Sequence, residues 1–320
     1  MRRFALIVAV VAGALGPATP ASAHGGDAPD ATAYRTTVTG ITAAEKGLRV
    51  RAVEAGARLE LSNKTGHTVE ILGYSGEPYL EVRPDGTYEN TSSPATYENQ
   101  TLSGDTAVPA TADPTAPPTW RRASTSTTVR WHDQRTHWLT TGLPPAAQAD
   151  PGRTHRLRDW SVPLREGVRT FEIRGTLDWV PPPTAWLWWL GAALLAATVT
   201  AAGLRTTRPI AAIALIAGTI TISYASAKSF AIPVLAVGLL TVAAGLRPRP
   251  FLLALAGAGL TVFAGLNEAG VFRQAVVPVP GPAWWARAAV LVALGAGVGL
   301  LSTGALRLRK MSAAAAIVDA

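Results

Sequence analysis

Cysteine is absent from the 320 residues of this chain. That excludes disulfides and thiolate metal centres, so any exported domain must hold together by core burial alone. Methionine is almost as scarce. Only Met1 and Met311 occur, so the region between them offers no thioether to Cu(I), and a bound copper ion there would be Cu(II) on nitrogen and oxygen. Enzyme signatures are missing as well: there is no Gly-x-Ser-x-Gly, no His-Glu-x-x-His and no phosphate-binding glycine loop. The expectation is a protein that is not an enzyme.

A formal charge of +8 invites a nucleic-acid reading, but the distribution of charge argues against it. His24 to Trp179 carry 17 Lys+Arg against 19 Asp+Glu, while the remaining segments carry 12 against 2. The basic character therefore belongs to the amino terminus and to the loops of an apolar second half. No nucleic-acid partner is expected.

Residues 1–23 read as a cleavable signal peptide: a basic Met1-Arg2-Arg3, an apolar run from Phe4 to Leu15, and Ala21-Ser22-Ala23 as the cleavage site. Cleavage would expose His24, at the head of a flexible tail over 24–33. In the second half, apolar stretches at 186–204, 209–227, 230–246, 251–267 and 286–306 each approach the length a bilayer requires, which predicts an all-α bundle of about five transmembrane helices over 181–310. Arg205 with Arg208, Arg247 with Arg249, and Arg307, Arg309 with Lys310 follow the first, third and fifth stretches. The positive-inside rule makes those ends cytoplasmic, with a cytoplasmic tail over 311–320. Trp186, Trp188, Trp189, Trp284 and Trp285 fall at the outer interface, where indole rings settle. The expected location is the cytoplasmic membrane, crossed several times, with lipid as a partner and the amino-terminal domain outside.

Residues 34–180 alternate in short runs such as Leu48-Arg49-Val50-Arg51, Arg58-Leu59-Glu60-Leu61 and Phe171-Glu172-Ile173-Arg174, separated by turn chemistry at Asn63-Lys64-Thr65-Gly66 and Pro84-Asp85-Gly86. They predict an all-β extracytoplasmic domain, an antiparallel β-sandwich for which an immunoglobulin-like topology is one candidate. Residues 105–128, rich in Pro, Thr, Ala and Ser, read as a long loop or an extended crossing segment, and 143–152 as another. Trp179-Val180-Pro181-Pro182-Pro183 is a stiff connector to the first span.

Arg130-Trp131-His132-Asp133-Gln134-Arg135-Thr136-His137-Trp138 is the segment with most chemistry. A four-residue hairpin loop over Asp133–Thr136 would set His132 opposite His137, about 5 Å apart at Cβ, and Trp131 opposite Trp138. Two imidazoles, with Asp133 as a carboxylate ligand or orienting one ring, make a partial site for copper(II) or zinc. The blander alternative is that both imidazoles hydrogen-bond Asp133, backbone carbonyls or solvent while the tryptophans pack. A mature amino-terminal His24 adds an α-amine and an imidazole able to chelate one metal, with His67 and His155 as further donors. Tyr74, Glu77 and Tyr79, with Trp131 and Trp138, form a candidate ligand or partner surface. In the membrane half, Lys228 and Asn267-Glu268 are the polar groups of note.

Leu72-Gly73-Tyr74-Ser75-Gly76-Glu77-Pro78-Tyr79-Leu80, the Arg130–Trp138 segment and Trp179-Val180-Pro181-Pro182-Pro183 before a Trp-rich span together resemble an uncharacterised family of actinobacterial multi-span membrane proteins. The resemblance covers nearly the whole mature chain and implies signal peptide, ectodomain and multi-span tail, with no activity. His24 is similar to the start of periplasmic copper-binding chaperones, and that likeness extends to no other residue. Two functions follow as expectations: a ligand- or metal-binding ectodomain, or an accessory subunit of a cell-envelope complex with a protein partner.

Overall fold

The computed structural model describes residues 30–43, 46–228 and 231–318. The expected leader, its cleavage site and His24 lie outside the described residues. The chain divides into two compact units, one ending at Pro181 and one beginning at Pro182.

The first unit is antiparallel throughout. Strands β1 (Tyr34–Ile41), β2 (Leu48–Val53), β3 (Arg58–Asn63), β4 (Val69–Leu72), β5 (Pro78–Arg83), β6 (Gly86–Asn90), β7 (Trp120–Ser124), β8 (Thr128–Trp131), β9 (His155–Glu166) and β10 (Arg169–Trp179) form two sheets. The larger has the order β1-β10-β9-β4-β5-β6-β7 and the smaller β2-β3-β8. One core joins them: Leu59 and Leu61 from the small sheet pack with Ile71, Val162, Leu164 and Ile173 from the large one. Period-two alternation places these residues on the inner faces. The seven-plus-three division departs from the four-plus-three of a constant-type immunoglobulin domain.

Two local features shape the large sheet. Trp160 stands directly opposite Gly175 in the β9–β10 ladder, and its indole lies across that glycine. A Cβ at 175 would come 2.0 Å from Trp160 Cζ2 and 2.4 Å from the Thr37 carbonyl oxygen, so only glycine admits the ring. The expected loop over 105–128 is corrected at its end: Trp120–Ser124 is an edge strand on β6. Exposed along almost its whole length, β7 carries no alternation to read, and polar contacts hold it: Arg121 Nε to Glu89 Oε1 at 2.6 Å, and the Thr119 amide to Asn90 Oδ1 at 2.8 Å. A four-residue helix, α1 (Ala95–Glu98), and a five-residue one, α2 (Pro145–Ala149), interrupt the long connections.

The second unit holds α3 (Ala185–Arg205), α4 (Arg208–Ala227), α5 (Ile232–Leu246), α6 (Pro250–Gly259, continued as a π-helix over Leu260–Leu266) and α7 (Ala283–Val318). Three of these helices are long and apolar enough to cross a membrane, namely Ala185–Arg205, Arg208–Ala227 and Ala283–Ala314; Ile232–Leu246 and Pro250–Leu266 are apolar and shorter. Close contacts run through glycine. Gly191 meets Leu291, Gly295 meets Leu195, Gly299 meets Val199 and Gly203 meets Thr303, so α3 and α7 lie parallel. Gly218 meets Val242 and Gly245 meets Leu215, making α4 and α5 antiparallel; Gly304 meets Ala254 and Gly265 meets Leu294, making α6 and α7 antiparallel.

Candidate functional site

The chemistry gathers where the chain leaves β8. Before β3, Glu54 and Ala55 both adopt left-handed backbone (φ 57° and 60°), an uncommon geometry for residues with a Cβ. The turn is pinned by Arg58 Nη1 to Glu54 Oε2 at 2.5 Å, and it presents the Ala57 carbonyl. His132 Nδ1 donates to that carbonyl at 2.7 Å. An acceptor on Nδ1 places the proton there and the lone pair on Nε2.

His137 follows a single 3-10 turn, Gln134–Thr136, which brings its ring near His132 and the Ala57 carbonyl. Its Nε2 is buried with no hydrogen-bond partner. Burial first, and the neighbouring His132 ring second, push its pKa down to about 4, against the opposing pull of Asp133 and the Ala57 carbonyl. The outcome is a buried imidazole, His132, with a half-buried one, His137, close to it and neutral at physiological pH.

The route to this pairing differs from the expected hairpin. β8 ends at Trp131 and pairs only with β3, and His137 lies in no strand. Asp133 is the reason. Its Oδ1 caps the 3-10 turn by accepting the Arg135 amide at 3.1 Å, while Thr136 Oγ1 donates to its carbonyl at 2.8 Å. The Asp133 carboxylate has side-chain partners as well. It is fully buried and taken by Arg135, at 2.8 Å to each oxygen, and by the Trp131 indole at 3.1 Å. Trp131 points into the core, whereas Trp138 stacks on Tyr34 with ring centres 6.2 Å apart.

Arg135 joins what the sequence presents as two separate clusters. Its guanidinium donates to the Leu72 carbonyl at 3.1 Å and lies 4.9 Å from the centre of the Tyr74 ring. Tyr74 OH accepts the Gln134 amide at 2.9 Å and donates to Asn99 Oδ1. Burial, reinforced for Tyr74 by the Asp133 charge, holds the Tyr74 and Tyr79 phenols far above their ordinary range, so both remain donors. Glu77 is buried too, accepting Ser93 Oγ at 2.7 Å and the Ser75 amide at 2.9 Å. A Cβ at Gly73 would collide with that carboxylate. Of Tyr74, Glu77, Tyr79 and Trp131, expected at a surface, only Tyr74 is exposed. The other three build the frame that fixes the turn.

Sequence reasoning overlooked Ala57 and the role of Arg135 in this arrangement. Ala57 carries no signal because a backbone oxygen does the work. Arg135 was legible in principle, as a cation two residues from a buried acid. Among the described residues no group of three or more His, Asp or Glu is placed to hold a metal ion, and His155 is turned to the Asp150 carbonyl at 2.7 Å.

A second polar cluster lies in the helical unit. Lys228, at the end of α4, meets both oxygens of Glu268, at 2.8 and 2.7 Å, and Tyr224 OH donates to the same carboxylate at 2.8 Å. Arg307 of α7 donates to the Gly203 and Thr206 carbonyls at the end of α3.

No protein-family profile, curated protein or solved structure matches the chain, so the assignment of roles rests on geometry.

Proposed function

We propose that the β-domain is a non-enzymatic metal-binding module that takes Cu(II) or Zn(II) between His132 and His137. The observation that carries this reading is the closeness of two imidazoles, His132 with its Nδ1 held by the Ala57 carbonyl and His137 with a buried Nε2 that lacks a hydrogen-bond partner. Ligating histidines donate their second ring N–H to a backbone carbonyl or carboxylate in this way, which leaves Nε2 as the ligand atom. A pKa of about 4 for His137 also means that protons compete weakly for that nitrogen. Asp133, tied to Arg135 and Trp131, supports the turn rather than the ion. Solvent oxygen, or His24, would complete the coordination. Calorimetric titration of the purified full-length protein in detergent with Cu(II) and with Zn(II) tests the reading. Saturable binding that His132→Ala and His137→Ala each abolish is expected; affinity unchanged in the double variant rejects it.

The chain is further read as an exported membrane protein of five spans, with residues 34–180 outside the cytoplasmic membrane and the carboxyl terminus in the cytoplasm. Contacts along the helices support five crossings. Gly245 at the end of α5 is level with Ala211 near the start of α4, and Pro250 at the start of α6 is level with Gly304. The α5 helix thus runs along α4, α6 covers α7 from Gly304 to Leu294, and Arg208, Arg247, Arg249 and Arg307 gather at one end.

A further inference from the structure

Between His137 and Asp150 the chain carries no Asp, Glu, Lys or Arg. Within that stretch residues 138–143 form a loop closed by the Trp138 indole N–H on the Gly142 carbonyl at 3.3 Å. Leu139 and Leu143, 47% and 50% exposed, project from it, although both are large and apolar. Ring contacts and strand pairing tie the loop to one end of the β-domain. Trp138 stacks on Tyr34, Tyr34 pairs with Trp179 in the β1–β10 ladder, and the His155 ring lies 6.0 Å from that of Trp179.

Trp179 is the last residue of β10, and α3, the first apolar helix, opens at Ala185. Six residue steps reach at most about 20 Å, so chain length alone ties this end of the domain to the bilayer surface. The opposite end is the β9–β10 turn at Val168, separated from Trp179 by the 11 residues of β10, or about 35 Å. There the exposed Val168 stands among charges, Glu166 and Arg169. The charge-free apolar loop is thus at the tethered end and the charged tip at the free end. Charge of both signs borders this stretch: the Arg153 side chain, 81% exposed, lies 4.0 Å from Asp150, and Arg156 pairs with Asp159 and Asp178, so the apolar loop and not a cationic patch distinguishes this end.

We propose that the 138–143 loop is a lipid contact: Leu139 and Leu143 enter the headgroup region of the membrane that anchors the chain, and Trp138 lies at the boundary between the acyl and polar layers. A loop without charge enters that layer with no ion to desolvate, and two leucines on a short tether need no affinity of their own to stay there. The contact would hold the β-domain against the bilayer and fix which of its faces meets the outside. This inference rests on the membrane reading and not on the metal site.

The absence of native cysteine makes the test direct. Leu139→Cys, Leu143→Cys and Val168→Cys proteins, each shown to melt as the parent does, are labelled with an environment-sensitive fluorophore and reconstituted into vesicles of phosphatidylglycerol and phosphatidylethanolamine. Flotation with the vesicles checks anchoring, so failure of the membrane reading appears as protein left at the bottom of the gradient. Labels at 139 and 143 should be blue-shifted, quenched by nitroxide lipids carrying the spin label near the headgroup, and severalfold less accessible to an aqueous quencher than the label at 168. Equal aqueous quenching at 139, 143 and 168 in floated protein overturns the proposal. Shielding from water without quenching by lipid nitroxides overturns it as well, since that outcome marks a protein contact.

Discussion

His137 is a buried base whose surroundings favour its neutral form, and that preference has a sign that can be measured. The unfolded chain takes up a proton near pH 6.5, whereas the folded domain resists until about 4. Between those values the unfolded state binds more protons, so folding stability contributed by this group is whole above pH 6.5 and drains away as the pH falls toward 4. The full effect is about 3 kcal/mol. Glu81 works against it. Burial, with the Glu70 carboxylate directly across the strand pair, raises its pKa despite Arg83, so its contribution weakens as pH rises through the carboxylate range. Subtracting the two proteins isolates the histidine: denaturation midpoints at pH 7.5, 5.5 and 4 should fall steeply in the parent and more gently in His137→Gln. Parallel curves would show that His137 is not held neutral. His132 and His137 could be read as neighbours from their spacing, but the carbonyl that holds His132 could not. Ala57 lies 75 residues upstream of His132, and no side-chain pattern points to a main-chain oxygen.

Elements were legible where burial repeats and obscure where polar contacts take its place. β2, β3 and β10 showed in the alternation of apolar residues because one face of each lines the core. β7 did not, since hydrogen bonds to β6 hold it and its side chains face water. The hairpin inferred around 132–137 failed for a related reason: an aspartate that caps its own following turn is a stronger local instruction than symmetric residue spacing. In the helical unit, Lys228 and Glu268 stood out as charges in apolar segments, yet their pairing depends on backbone geometry. Glu268 follows the π-helix at Leu260–Leu266, whose wider turn resets the direction of every later side chain. Side chains 6% and 10% exposed make this a buried ion pair, in which losing one partner costs far more than losing both. Glu268→Gln should lower stability in detergent by about 3 kcal/mol, and adding Lys228→Met should recover most of it. A double-mutant cycle from thermal melts measures the coupling; additive losses would mean that the charges do not depend on each other.

At the scale of the whole molecule, the distribution of arginine and the packing of helices are independent constraints on the proposed five-span topology. Charge counting alone leaves the two shorter helices ambiguous. The 15 residues of α5 rise about 22 Å, less than the roughly 30 Å of a hydrocarbon core, so by length it could dip into the bilayer and return. The parallel packing of α3 and α7 does not settle the matter either, because one intervening crossing and three both restore direction. Contact register is more discriminating: Gly245 near Ala211, and Gly304 near Pro250, carry α5 and α6 to the same end that bears Arg208 and Arg307. A helix pair that only dipped into the outer leaflet would leave Arg247 and Arg249 in the acyl layer, where an unpaired arginine is costly. Five crossings place both in cytoplasmic water. In a chain with no native cysteine, Pro248→Cys and Gly281→Cys divide the alternatives. Membrane-impermeant maleimide applied to intact cells should label residue 281 and leave 248 unlabelled until the membrane is permeabilised. Labelling of 248 from outside would reverse the bundle, and failure to label it even after permeabilisation would place the α5–α6 junction within the bilayer.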